Sequence, residues 1–194
     1  MPALRTPAAR RQIEIPRIKG SRFIAVIDRT ADLASADAVL AELRVALPGA
    51  THYAHASRID ARTERVSDDG EVRGTAGRPI LARLAGQSLL QVTLVVIRYY
   101  GGTKLGKGGL VRAYGEAASA VLAAVEVVEE PLRRVVTLTC PYSLAGKLQD
   151  RTVRGGGVVV RSDYDAAVTL VLALPVDDED LLATLLDHPG VRQH

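Results

Sequence analysis

A single cysteine, Cys140, leaves no partner for an internal disulfide and no thiol set for a cysteine zinc cage. No apolar run reaches the ~18 residues that a transmembrane helix needs. The opening MPALRTPAARRQ carries two basic clusters without the apolar centre of a secretory leader, so a cytoplasmic setting is expected. No internal repeat is present. Ser21, Ser67 and Ser119 lack a strained elbow motif, and no nucleophile, base and orienting group can be grouped. The sequence therefore names no catalytic residue, no metal site and no cofactor, which counts against a hydrolase.

What is present is an ordinary globular composition. The chain has 194 residues, 47% hydrophobic and 24% charged, which excludes collagen-like, disordered and low-complexity classes. The length suits one large domain or two of about 100 residues each. The net charge of +3 is unevenly shared: residues 1–131 hold 18 basic and 14 acidic side chains, residues 132–194 hold 7 and 8. Arginine outnumbers lysine by 21 to 4. Arginine is the better fork for phosphate and carboxylate, although a GC-rich genome gives the same bias.

Apolar spacing divides the chain into elements. Residues 12–29 read as strand around a turn at Lys19-Gly20-Ser21. Leu33, Ala36, Leu40, Leu43 and Leu47 lie at helical spacing, stopped by Pro48-Gly49. A strand region follows over 51–59, then a polar glycine-bearing loop over 60–77 and a short helix from Arg78, with Pro79 in its first turn. The run Leu94-Val95-Val96-Ile97 marks a buried strand over 91–100. GGTKLGKGG then leads into a long helix striped by Leu110, Ala113, Tyr114, Ala117, Val121 and Leu122. Past Glu129-Glu130-Pro131 the pattern restarts as strand 133–140, helix 143–154, strands 157–162 and 166–174, and helix 178–187. Ser143 and Asp177 are the expected caps of those two helices. This β-α-β-β-α order is a ferredoxin-like half-sandwich whose closing strand must come from residues 189–194. The expected organisation is a flexible stretch over 1–11, a first domain over 12–130 and a second over 133–194.

Two glycine-rich segments precede helices, where unpaired backbone N–H groups favour anions. The second, Gly101 to Gly109, fits G-x-x-x-x-G-K through Lys107. A P-loop also needs Ser or Thr next, and Gly108 stands there, so a nucleoside-triphosphate P-loop is disfavoured. The dinucleotide fingerprint fails as well, because Gly106-Lys107-Gly108-Gly109-Leu110-Val111 ends in valine. Arg98, Gly101, Gly102, Lys104, Gly106, Lys107, Gly108, Gly109 and Arg112 remain as candidate anion or RNA contacts. Of Tyr99 and Tyr100, one faces the core and the other is available for stacking. The alternative is a solvated basic face with Arg112 paired to Glu116.

The first glycine segment follows Ser67-Asp68-Asp69-Gly70-Glu71. Asp68, Asp69, Glu71, Gly74, Thr75, Gly77 and Arg78 form a secondary candidate loop. Clustered carboxylates can hold magnesium or move protons, but an acidic turn paired to Arg73 or Arg78 is the preferred reading. His52 and His55 point to opposite faces of a strand and make a poor metal pair.

Lys19 to Ile24, Ala50-Thr51-His52, Ser67 to Glu71 with Gly74 to Gly77, and above all Arg98-Tyr99-Tyr100-Gly101-Gly102-Thr103-Lys104-Leu105-Gly106 with Gly108 to Tyr114, resemble the IMPACT/YigZ family. The match runs in order along nearly the whole chain. Val72 departs from the proline usual after the acidic triplet, and the C-terminus is short. The resemblance implies an α+β chain of two domains: an N-terminal ribosomal-protein-type β-α-β fold and a C-terminal ferredoxin-like fold. That pair is similar to domains IV and V of elongation factor G. Eukaryotic relatives are linked to translation initiation under amino-acid stress, and nucleic-acid binding is one proposal for bacterial ones. Fold likeness is a weak warrant for function.

The expected function is a non-enzymatic, translation-associated regulator that meets RNA or a ribosome-associated partner through the second glycine loop. One alternative is an enzyme of a phosphorylated or nucleotide ligand, with Asp68, Asp69 or Glu71 on a metal and Lys104 or Lys107 on phosphate. Another is a protein-binding adaptor working through the second sheet. Under the first reading Arg98, Lys104, Lys107 and Arg112 are expected to line one accessible groove, with the two glycine loops adjacent.

Overall fold

The computed structural model describes residues 3–194, which divide into two compact units, Leu4–Glu129 and a second formed by Glu130–His194 together with Ala3. Both are α+β.

In the first unit, strands β2 (Arg11–Ile18), β3 (Ser21–Arg29), β4 (His52–Arg58), β5 (Glu64–Ser67) and β6 (Val92–Tyr99) form one antiparallel sheet in the order β2-β3-β6-β4-β5. The turn between β2 and β3 is Lys19-Gly20, with φ of 46° and 80°. Two consecutive positive φ values match the twist of a tight hairpin. Helices α2 (Gly77–Gly86) and α3 (Gly106–Ala124) cover one face, where Ile80, Leu84, Leu110, Ala117 and Val121 meet Phe23, Ala25, Leu94 and Val96. Helix α1 (Leu33–Ala46) covers the other, setting Val39 and Leu43 on Ile24, Val26, Val95 and Ile97. β3 and β6 are therefore buried on both faces, which is why they read as unbroken apolar runs.

Two elements differ from the sequence expectation. Ala3–Pro7 form a strand, β1, paired with β7 (Val127–Pro131), where a flexible start was expected. Leu4 is buried there, the Thr6 hydroxyl donates to the Gln91 carbonyl, and the Leu90 N–H donates to the Arg5 carbonyl. These contacts come from residues distant in sequence, so local spacing carries no trace of them. Met1 and Pro2 lie outside the described residues. The expected loop over 60–77 contains β5, which pairs with β4 at the sheet edge.

In the second unit, β8 (Arg133–Cys140), β9 (Val158–Tyr164), β10 (Val168–Pro175) and β11 (Arg192–Gln193) align antiparallel as β11-β8-β10-β9. α4 (Tyr142–Arg154) and α5 (Glu179–Leu186) supply Leu148, Leu181 and Leu185 to a core with Leu138, Leu170, Leu172 and Leu174. This is the ferredoxin-like order, closed by a strand of two residues. The caps move by one or two positions. α4 starts behind Pro141 with no side-chain cap, and Asp178 rather than Asp177 accepts the Leu181 N–H of α5. Cys140 is a buried free thiol whose pKa burial pushes up.

Candidate anion-binding site

The site lies where β6 ends and α3 begins. The Tyr100 N–H donates to Thr51 Oγ1, and the Gly101 N–H donates to Ser21 Oγ. Gly101 runs against the hairpin turn so closely that a Cβ there would stand 1.9 Å from the Gly20 carbonyl carbon. Gly102 and Gly106 then take φ of 85° and 74°, which suits glycine and lets the chain swing into α3. No side chain caps α3, and its first turn holds no acidic residue. The partial positive charge of that helix end is thus unmet by the protein itself.

The other glycine segment is arranged in the opposite way. The Asp68 carboxylate accepts N–H bonds from Gly74 (2.7 Å), Ala76 (3.0 Å) and Gly77 (2.9 Å). Burial alone would raise this carboxyl, but the three amide donors outweigh it and hold its pKa below the ordinary value. Asp68 thereby fills the anion position before α2. Gly74, Thr75, Gly77 and Arg78 are not an open anion loop: Gly77 abuts the Ser67 backbone, and buried Thr75 donates to the Val72 carbonyl. Asp69 is also engaged, accepting from the Tyr53 N–H and from Arg44; burial opposes them, yet they too hold its pKa down.

Glu71 departs from its neighbours in the acidic triplet and joins the cavity. A hollow of about 360 Å³ is lined by Glu71, Val72, Arg98, Tyr100, Lys104, Leu105, Gly106, Lys107 and Leu110. At its floor Glu71 Oε1 accepts from Arg98 Nη1 at 2.5 Å and from the Tyr114 hydroxyl at 2.8 Å. Burial, then the Glu71 charge, push the Tyr114 pKa far up, so the phenol stays a donor. His52 Nδ1 donates to the Asp69 carbonyl, which turns Nε2 toward Glu71 Oε1 at 3.7 Å. Arg98 is 4% exposed, and its second nitrogen donates to Ser21 Oγ. Its guanidinium lies 5.4 Å from the centre of the Tyr100 ring.

The expected single groove of four cations is therefore not what the structure has. Arg98 is no open phosphate contact, because the buried carboxylate of Glu71 neutralises it. Lys104 and Lys107 are exposed at the same cavity and carry no ion pair among the described residues. Arg112 opens instead on a neighbouring hollow of about 300 Å³ with Lys19, Leu105 and Glu116. It makes no ion pair with Glu116. Gly101, Gly102, Gly108 and Gly109 shape the connection and the first helical turn without lining the cavity. Tyr100, 46% exposed, presents its ring to the cavity, whereas Tyr99 donates its hydroxyl to the Leu47 carbonyl beside α1. Lys19 reads from the sequence only as a turn residue, and no spacing marks the pairing of Glu71 with Arg98 across 27 positions. Among the described residues no cluster of three His, Cys, Asp or Glu side chains is placed to hold a metal.

Chemically, the arrangement is a neutralised polar floor, an apolar and aromatic wall, and a mouth with two free ammonium groups beside unpaired helix amides. It suits a ligand that pairs negative charge with a flat or apolar body.

Comparison with known proteins covers both units. Residues 19–122 match the family model of the Impact N-terminal domain, and residues 138–187 match one described only as a domain of unknown function. The chain is 37% identical over 165 residues to the IMPACT family member YigZ of Escherichia coli (strain K12), covering 83% of this chain and 81% of that protein. It is 35% identical over 161 residues to an IMPACT family member of Haemophilus influenzae, covering 81% and 78%. A Thermus thermophilus relative, the IMPACT family member in pol 5'region, is 49% identical over 105 residues, covering 54% of this chain and 56% of its own. A solved structure, titled as the crystal structure of a hypothetical protein, superposes with a TM-score of 0.79 at 34% identity, covering 100% of this chain and 97% of that one.

Proposed function

The chain belongs to the IMPACT family, and on that footing we propose that it is a non-enzymatic protein of translation that binds single-stranded RNA at the cavity before α3. The observation that carries this reading is a pair of lysines, Lys104 and Lys107, without an ion pair among the described residues, at a helix start that no side chain among those residues caps. Exposed Tyr100 beside them supplies a stacking surface, and base stacking on one aromatic ring contributes about 1–3 kcal/mol. Strand phosphates would meet the two lysines and the helix amides. Lys19 and Arg112, in the neighbouring hollow, extend positive charge along the strand's path.

The test is fluorescence anisotropy of labelled single-stranded RNA across a salt series. Affinity should fall as salt rises. Lys104→Glu with Lys107→Glu should weaken binding and lower the slope of log K against log salt by about 1.4, two phosphate contacts at ~0.7 each. No RNA affinity at low salt would sink the reading.

One observation favours a second reading, a small phosphorylated ligand: the cavity has the volume of a small-molecule pocket and a buried Glu71–Arg98–Tyr114 floor. A thermal-shift series with mononucleotides separates the two. Under this reading a mononucleotide well above its Kd raises Tm, by a stabilisation of about 2.7 kcal/mol at a hundredfold excess.

A further inference from the structure

The cavity is cationic at its mouth, yet its floor offers an acceptor. The Glu71 side chain is 5% exposed. Its Oε1 is taken by Arg98 and Tyr114, with His52 close by. Among the described residues its Oε2 accepts no hydrogen bond, and it is not among the polar atoms sealed from solvent without a partner. Glu71 lines the cavity, and with Oε1 engaged by Arg98 and Tyr114 the oxygen left to meet a ligand there is Oε2. A carboxylate oxygen so nearly buried is satisfied only by a donor.

The phosphate of a bound strand has no proton to give and is drawn to the lysines. The donor must come from another part of the nucleotide. The N1–H and amino edge of guanine takes both oxygens of a carboxylate, and here only one is free. An exocyclic amine lies at the far side of the base from the phosphate. The ribose 2′-hydroxyl lies on the same sugar that carries the phosphate, so one compact cavity can serve both. That hydroxyl is also the group by which proteins tell RNA from DNA.

We propose that Glu71 Oε2 accepts a hydrogen bond from a ribose 2′-hydroxyl of the bound strand, making Glu71 the residue that selects RNA over DNA. The inference rests on the RNA-binding reading above. An acceptor in the cavity of the two lysines serves a purpose that simple phosphate binding does not need: it favours a ligand presenting a hydroxyl next to its charge.

The test uses the full chain and short labelled oligouridines in ribo, 2′-deoxy and 2′-fluoro form. The fluoro sugar keeps the ribo pucker and lacks the donor. The ribo strand should bind about tenfold more tightly than the other two, the loss expected for one hydrogen bond to a charged group. Equal binding of ribo and 2′-fluoro strands overturns the assignment to Glu71 while RNA binding itself stands. Failure of every strand to bind overturns the RNA reading instead. Glu71→Gln adds the protein side. If the variant melts as the parent does, the preference for the ribo sugar should largely vanish, and an unchanged preference places the hydroxyl contact elsewhere. If the variant does not fold, the sugar series alone decides.

Discussion

Arg98 and Glu71 hold each other in place at the floor of the cavity, each with a side chain 5% exposed. Such a pair adds little net stability once desolvation is counted, but losing one member leaves the other charge stranded. Arg98→Met keeps most of the side-chain volume and should destabilise the first unit by about 3 kcal/mol, read as a shifted urea midpoint. A loss below about 1 kcal/mol would mean that water reaches Glu71 freely. Asp68 acts through pH. Its folded-state pKa is held below the ordinary 3.8. Its stabilisation is therefore complete above that value and is lost as pH falls through the lower folded-state value. Denaturation followed from neutral pH into acid should show this decline. Asp68→Asn should remove part of it, at a cost of about 1 kcal/mol at neutral pH, as for other helix-start acceptors.

Helices α2 and α3 begin in contrasting ways. The first is met by the protein's own carboxylate, Asp68; the second is left open beside two lysines. The connection into α3 depends on Gly101, where a Cβ would also stand 2.2 Å from the Ser21 nitrogen. Both neighbours are backbone and cannot turn aside. Gly101→Ala should cost about 3 kcal/mol or abolish folding. Gly108→Ala, with open space around the added carbon, should be neutral or stabilise by about 0.5 kcal/mol through helix propensity. A thermal melt of both variants checks the contrast.

The same elements show what local sequence carries. β3 and β6 were readable because two-sided burial makes their apolar runs continuous. β5 was not, because Glu64–Ser67 is a short edge strand with only Val66 as an apolar residue. β1 was hidden for a different reason: its partner lies at the far end of the unit. The glycine loop and its lysines stood out by composition. The capture of Arg98 by Glu71 and of three amides by Asp68 depends on contacts made only after folding, so no spacing rule reveals them.

At the scale of the whole chain, each unit closes its own core, around Phe23, Leu94 and Tyr114 in one and Leu138, Leu148 and Leu170 in the other. Positive charge is concentrated before residue 132, and the remainder is close to neutral. A fragment of residues 1–131, which retains β7 as the partner of β1, should melt cooperatively by circular dichroism. Under the proposed function it should also keep most of the RNA affinity of the full chain in the anisotropy assay. A fragment that folds but has lost that affinity would move the binding surface into the second unit.

The jammed contact of Gly20 with Gly101 sets a fixed root for the segment that follows it. Downstream, α3 is clamped to the sheet by Leu110, Tyr114 and Ala117. Between these two posts Gly102 is held by its positive φ and Leu105 by packing on the core, whereas Thr103 and Lys104 are exposed and can be rewritten without disturbing either post. The molecule is in this respect a graft acceptor, with an interchangeable recognition tip mounted on a scaffold that does not register the exchange.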